Sequence, residues 1–362
     1  MLALLHWKRL CQSSQSRNTP SHRLKTLRTL PGLVLGVALT VTGCGGNKPG
    51  STQSSQAAAD VAAPMVVAAD GVLCDLAQRL AAGDLRMECL LGAGDDPHSF
   101  QLQPSHKALL SSAQLVLISG YGLTPALADL PGAVAVSELA VPDSLRLAES
   151  PDEKHHDHDH NHDHNHGDRD PHVWHNPANS AAMVSVIADR FSALAPSAAR
   201  SIQQRAAAME AVLQQLNTWN TAQFASVPAP PPPLATGHRA FASLAQAYGL
   251  SELALVDAHS SSETLRPEEF RLVVEQLRTE QVPQLFAEQL PAPRTMQRIS
   301  ELSGVPIAPV PLAADGLAQG ATGPLSLVAT LTRNTCTIVT GWGGRCDEAG
   351  ASDLEKRWAA IP

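Results

Sequence analysis

The sequence predicts an α/β protein built as two Rossmann-like lobes joined by one long helix. Three observations predict this. Short apolar runs alternate with longer stretches of helical periodicity in the first half of the chain, the same alternation returns after residue 230, and one long helical pattern lies between them. Alternation of that kind favours parallel sheets covered by helices. With 362 residues, 44% of them apolar, there is enough chain to bury a core in each lobe.

In order, "MVVAA", "RMECLL", "AQLVLISG" and "AVAVSEL" read as strands, with "VLCDLAQRLAAG" and "PSHKALLSS" as helices between them. An acidic, histidine-filled segment at 150–170 interrupts the scheme. Two helical stretches follow, broken at Pro196, and in the second Ile202, Ala206, Met209, Val212 and Leu216 recur at helical spacing. "VPAPPPP" ends it, because proline has no amide donor and blocks helix continuation. The second block reads "LATG", "ELALVDA", "PQLFAE" and "PIAPVPL" as strands. Its helices are "RAFASLAQAYG", "RPEEFRLVVEQLRTE" and "APRTMQRISELSG". The expected domains are an N-terminal lobe at 63–195, a linking helix at 196–227 and a C-terminal lobe at 228–362.

The amino terminus carries six Lys or Arg and no acid over residues 1–43. A basic lead, the apolar run "LPGLVLGVALTV" and small residues before a cut make a secretory signal. About twelve apolar residues are too few to span a bilayer as a mature helix. The "VTGC" at its end resembles the lipobox of bacterial lipoproteins, which implies acylation of Cys44 and a lipid tether outside the membrane. Residues 44–62, rich in Gly, Ser, Gln and Ala, read as a flexible linker. Without residues 1–43 the chain holds 20 basic and 34 acidic side chains, so there is no basic footprint for nucleic acid. Cys74, Cys89, Cys336 and Cys346 form an even set in an exported chain. They suggest disulfides, with three pairings open and Cys74–Cys89 and Cys336–Cys346 as the local choices.

Ligands of open α/β sheets bind at the carboxyl ends of the strands. Four metal-capable residues stand just past a strand or ahead of a helix, each in its own loop. They are His98 in "GAGDDPHSF", His172 in "DPHVWHNP", His238 in "LATGHRAF" and Asp315 in "VPLAADGLA". Three imidazoles and a carboxylate make a tetrahedral set for a borderline-soft divalent ion. Taken singly, each has an ordinary alternative: a solvated turn for His98, a helix cap for His238, a loop acid or N-cap for Asp315.

Together, "DPHSFQLQPS", "DPHVWHNP", "GHRAFASLAQAYGL" and "LFAEQLPAPRTMQRIS" resemble the zinc- and manganese-binding lipoproteins that feed ABC importers, the ZnuA/TroA-like solute-binding proteins of cluster A-I. The resemblance runs from about Met65 to the end. It implies ligands at His98 and His172 from the first lobe and at His238 and Asp315 from the second, with the ion in the cleft between. It also implies a monomeric receptor serving a membrane permease and an ATPase. Manganese members commonly place a glutamate third, whereas this chain has His238. Nitrogen-rich ligation favours Zn2+ over Mn2+, and manganese is the alternative cargo.

Around this set stand Glu288, which ends "LFAE" and is expected to fix a ligand's imidazole through its other ring nitrogen, and the spare candidates His175 and His259. The run His155, His156, His158, His160, His162, His164 and His166, interleaved with Asp and Asn, has nothing apolar to bury and is expected to be a disordered loop that gathers zinc weakly. A zinc hydrolase is the rival class. Glu288 could be imagined as its general base, but the chain has no HExxH and no nucleophile elbow.

Overall fold

A computed structural model describes residues 63–92, 94–147, 169–255 and 267–362. The expected signal, tether, Cys44, the histidine run at 155–166 and His259 lie outside the described residues.

Strands β1 (Met65–Ala68), β2 (Arg86–Cys89), β3 (Leu115–Ile118) and β4 (Val134–Ala135) form one parallel sheet in the order β2-β1-β3-β4. Central β1 is buried along its whole length, as a strand covered on both faces must be. Helix α1 (Gly71–Ala81) starts where the Asp70 carboxylate accepts from Leu73 N at 2.9 Å, and it buries Val72, Leu73, Leu76 and Leu80. Helix α2 (Pro104–Ser112) opens with proline at its first position, where no amide donor is needed. The expected strand "AVAVSEL" is a strand only over its first residues. From Val136 the chain winds into α3 (Val136–Ala140), and the last rung to the sheet is the Ser137 amide donating to Ser119 O at 2.9 Å.

Helix α4 (Pro177–Leu194) is capped by the Asn176 side chain. After a 3-10 turn at Pro196–Ala198, helix α5 (Ala199–Phe224) runs for 26 residues, about 39 Å at 1.5 Å per residue. Ile202, Met209, Leu213 and Leu216 are fully buried along its inner face. Arg205, buried on the same helix, donates to Leu80 O at 2.8 Å and pairs with Asp84 at 2.5 Å, which ties the helix to the first lobe.

The second sheet is also parallel, in the order β6-β5-β7, from β5 (Leu234–Thr236), β6 (Glu252–Ala254) and β7 (Leu285–Phe286). Helices α6 (Ala242–Tyr248), α7 (Pro267–Thr279) and α8 (Arg294–Ser303) accompany it. The expected strand "PIAPVPL" contributes only a bridge, Ile307 to Leu285. Its three prolines supply no amide donors, so the backbone pairs at intervals, through Ala308 N to Leu285 O at 2.8 Å and Leu312 N to Ala287 O at 2.9 Å. A small hairpin of β8 (Gln319–Gly320) and β9 (Gly323–Pro324) leads into α9 (Leu327–Gly341) and α10 (Glu348–Ala359).

These last two helices return to the first lobe. Leu327, Val328, Leu331, Leu354 and Trp358 pack in the core that holds Leu73, Leu76 and Leu216. Further along α9, Ile338 and Val339 pack with Leu234 and Phe286 of the second lobe. Two helices, α5 and α9, therefore bind both cores. Cys74 pairs with Cys89 and Cys336 with Cys346, at Cα separations of 5.8 and 5.1 Å.

Candidate metal centre

Each candidate side chain is set by local backbone chemistry. In the loop after β2, the His98 amide donates to the Asp96 carboxylate at 2.9 Å, a tight Asx turn that lifts the ring out of the loop. His172 repeats the device: its amide donates to Asp170 Oδ1 at 2.9 Å. His238 follows β5, where the Gly237 and His238 amides both donate to Glu288 Oε1, at 2.9 and 3.3 Å. A Cβ at Gly237 would run into Glu288 Oε2, so only glycine lets the strand end approach that carboxylate. The Asp315 loop is held from two sides. Asn334 of α9 accepts from Ala313 N at 3.0 Å and donates to Ala313 O at 2.8 Å, while His175 Nε2 lies 2.9 Å from Ala314 O.

The four loops bring their side chains to one point. Asp315 Oδ1 lies 3.2 Å from His98 Nε2, 3.0 Å from His172 Nε2 and 3.1 Å from His238 Nε2, and the first two nitrogens are 3.2 Å apart. One donor atom from each of the four residues falls within 4.8 Å of all the others. Four tetrahedral donors bonded to zinc at about 2.0–2.1 Å would stand roughly 3.3 Å apart. The spacing found is that of donors gathered for one small ion.

His172 and His238 are each 1% exposed, His98 8% and Asp315 22%. The open side is therefore Asp315's, and there a cavity of about 720 Å³ lies between Asp95, Asp96, Glu288, Arg294 and Arg333.

Burial and the neighbouring carboxylates act in opposite senses on the buried rings. Burial works against charge on His238, yet its contacts with Asp315 and Glu288 outweigh that and push its pKa up to about 10. Burial likewise opposes charge on His172, and Asp170 and Asp315 overcome it and raise its pKa. Burial alone would raise Asp315, but hydrogen bonds from His172, His238 and His98 hold its carboxyl well below the usual range. His175 is the contrast. Burial drops its pKa to about 4, so it stays neutral, packed 4.5 Å from the Phe241 ring with its Nε2 spent on the Ala314 carbonyl.

Of the residues singled out in the sequence, the structure brings His98, His172, His238 and Asp315 together and sets Glu288 Oε1 3.5 Å from His238 Nδ1. His175 lies beside the cluster without facing into it. Sequence reasoning missed Asp170, whose Oδ1 is 3.3 Å from His172 Nδ1. It also missed Ser243, which donates to Asp170 Oδ2 through its amide at 3.1 Å and its hydroxyl at 2.6 Å, and it missed Asn334. The one local signal was Asp170 standing two residues before a histidine, the Asx-turn spacing that Asp96 shares.

Two parallel-sheet lobes bring four donors to one point, an arrangement that could hold a metal ion, and no helix among the described residues is long and apolar enough to cross a membrane. The chain belongs to the family described as zinc-uptake complex component A, periplasmic (ZnuA), whose model matches residues 66–341. Its members are substrate-binding components of metal ABC importers, receptors rather than enzymes, that work with a membrane permease and an ATPase. The chain is 26% identical over 289 residues to the manganese ABC transporter substrate-binding lipoprotein PsaA of Streptococcus mitis, covering 78% of this chain and 88% of that one. It is 30% identical over 217 residues to the zinc-binding protein TroA of Treponema pallidum, covering 58% and 65%. The solved structure of periplasmic TroA from Treponema pallidum aligns with a TM-score of 0.67 at 25% identity, over 77% of this chain and 99% of that one. Relatives are thus named for zinc and for manganese, and family membership leaves the ion open.

Proposed function

We propose that this chain is an extracytoplasmic zinc receptor that captures Zn2+ between its lobes on His98, His172, His238 and Asp315 and delivers it to an ABC-type importer. The observation that carries the reading is the convergence of three imidazole Nε2 atoms on a single carboxylate oxygen. Such a nitrogen-rich set suits zinc, whereas manganese prefers oxygen-rich sites. The reaction is reversible ligation with no bond made or broken in the cargo. Neutral imidazoles and an ionised carboxylate are required, so capture expels protons and acid weakens it. Glu288 and Asp170 support the rings from behind through their Nδ1 edges.

Release follows when ligands of one lobe shift away from those of the other. Because α5 and α9 each pack in both cores, the shift is small and the hinge stiff. The receptor is a monomer made with a signal at 1–43, anchored by lipid on Cys44 and tethered by 44–62. Its lobes are 63–195 and 228–362 around the linking segment 196–227, and the histidine run at 155–166 gathers zinc weakly.

The second reading, a manganese receptor of the same fold, is favoured by the likeness to a protein named for manganese. Calorimetric titration of the dialysed protein with zinc, then with manganese in competition, separates the two. The expected result is one tight zinc equivalent that excess manganese does not displace. Manganese binding more tightly than zinc would reverse the assignment.

A further inference from the structure

We propose that Asp170 and Ser243 form a clamp between the two lobes that sets the ring of His172 for the metal, making Asp170 a positioning residue of the site. The inference rests on the metal-binding reading above but concerns residues outside the donor set. Asp170 is fully buried and uses both carboxylate oxygens, in opposite directions. Toward its own lobe, Oδ1 takes the His172 amide at 2.9 Å and stands 3.3 Å from His172 Nδ1. Toward the other, Oδ2 takes the amide and hydroxyl of Ser243, on the first turn of α6, at 3.1 and 2.6 Å.

The geometry has a chemical consequence. For Nε2 of His172 to offer its lone pair to an ion, the ring proton must sit on Nδ1, and Asp170 Oδ1 is the acceptor that holds it there. The same carboxylate cannot turn to serve the ring better without abandoning Ser243. The orientation of a first-lobe ligand is therefore tied to the seating of a second-lobe helix. The backbone on the other side of Asp170 is equally fixed, since its amide donates to Leu145 O at 2.8 Å and its carbonyl accepts from Ser144 Oγ at 2.7 Å. Beside this clamp, His175 reaches from the first lobe to the Ala314 carbonyl, one residue before Asp315. Both cross-lobe contacts are direct hydrogen bonds.

Asp170→Asn keeps the shape but turns one accepting oxygen into a donor, so it cannot accept from His172 and from the Ser243 amide together. An alanine at 243 removes only the hydroxyl. The test is a double-variant cycle on the full mature protein, read by zinc dissociation into a chelator and by the visible absorption of bound Co2+, which reports the geometry of the ligand field. Ser243→Ala is expected to speed zinc loss about 10-fold and Asp170→Asn about 100-fold, the span usual for partners behind a ligating histidine. Both should alter the Co2+ spectrum, and the double variant should lose zinc no faster than Asp170→Asn alone. Unchanged dissociation and spectrum in Ser243→Ala would overturn the clamp, as would rates that multiply in the double variant. If the parent protein itself holds no tight zinc, it is the zinc reading that fails, so the two failures are told apart.

Discussion

His98 Nε2 lies 3.2 Å from Asp315 Oδ1, although 217 positions of sequence separate them. One residue follows a strand of the first lobe and the other a proline-rich segment of the second. No local rule brings them together. The packing of two sheets does, and that convergence gives the site its function.

Removing one donor tests the convergence. His238→Ala should weaken zinc binding by more than the roughly 100-fold that loss of an outer partner costs, while the circular dichroism spectrum of the metal-free protein stays near that of the parent. An unchanged zinc affinity would exclude His238 from the site.

The protonation of the cluster gives the sign of the pH dependence. With the His238 pKa at about 10 and that of His172 raised, the metal-free site carries protons at neutral pH that an ion must displace. Capture at pH 7 should release about one to two protons per ion, and apparent affinity should climb with pH and level off above the His238 value. Titrations in buffers of different ionisation heat measure the number released, and none released at pH 7 would contradict this.

The same shift has a stability consequence in the absence of metal. A raised histidine pKa stabilises the fold fully below its unfolded value of about 6.5, and that contribution is lost as pH rises through the folded value of about 10. The metal-free protein should therefore melt earlier at pH 9.5 than at pH 7 by the share His238 contributes. In His238→Ala that part of the difference should vanish, and a difference of the same size in the variant would trace it to another group.

Asn334 holds the Asp315 loop by two hydrogen bonds to Ala313 and is 1% exposed. Asn334→Ala leaves a part-buried backbone donor and acceptor without this partner, at a cost of up to about 1–3 kcal/mol. The expected outcome is a lower unfolding midpoint together with weaker zinc binding. Weaker folding with undiminished affinity would show that the loop keeps Asp315 in place without it.

Arg146 and Arg169 pair across an antiparallel bridge at the two feet of the histidine-rich segment, and Arg169 Nη1 donates to Ser144 O at 2.6 Å. With the feet already joined, deleting residues 152–168 should leave the rest of the fold closed. Zinc titration should then show the tight equivalent intact and the weak additional ones gone. Loss of the tight equivalent would assign that segment to the main site.

Much of the architecture was legible because it depends on local pattern. The runs at 65–69 and 86–91 became strands, and "PSHKALLSS" became α2 without change of bounds. The four donors were legible for a related reason, since each sits in a short motif of its own, and His98 and His238 also stand in loops that follow strands of the two parallel sheets. What escaped depends on distance. Nothing near Asp170 in the sequence announces Ser243, 73 positions on, and nothing near Ala313 announces Asn334. The segment "PIAPVPL" carries a strand's apolar content but lacks a strand's donors, and "AVAVSEL" turns helical because the chain leaves the sheet edge at Val136. The return of α9 and α10 to the first lobe is likewise a fact of tertiary packing, invisible in a helical pattern.

Anomalous diffraction at the zinc edge, from crystals of the zinc-loaded protein, tests the central claim most directly. The expected result is a single strong peak between the lobes, about 2.0–2.2 Å from Nε2 of His98, His172 and His238 and from a carboxylate oxygen of Asp315. A peak elsewhere, or one that touches donors of a single lobe while His98 and His238 stand far apart, would contradict it.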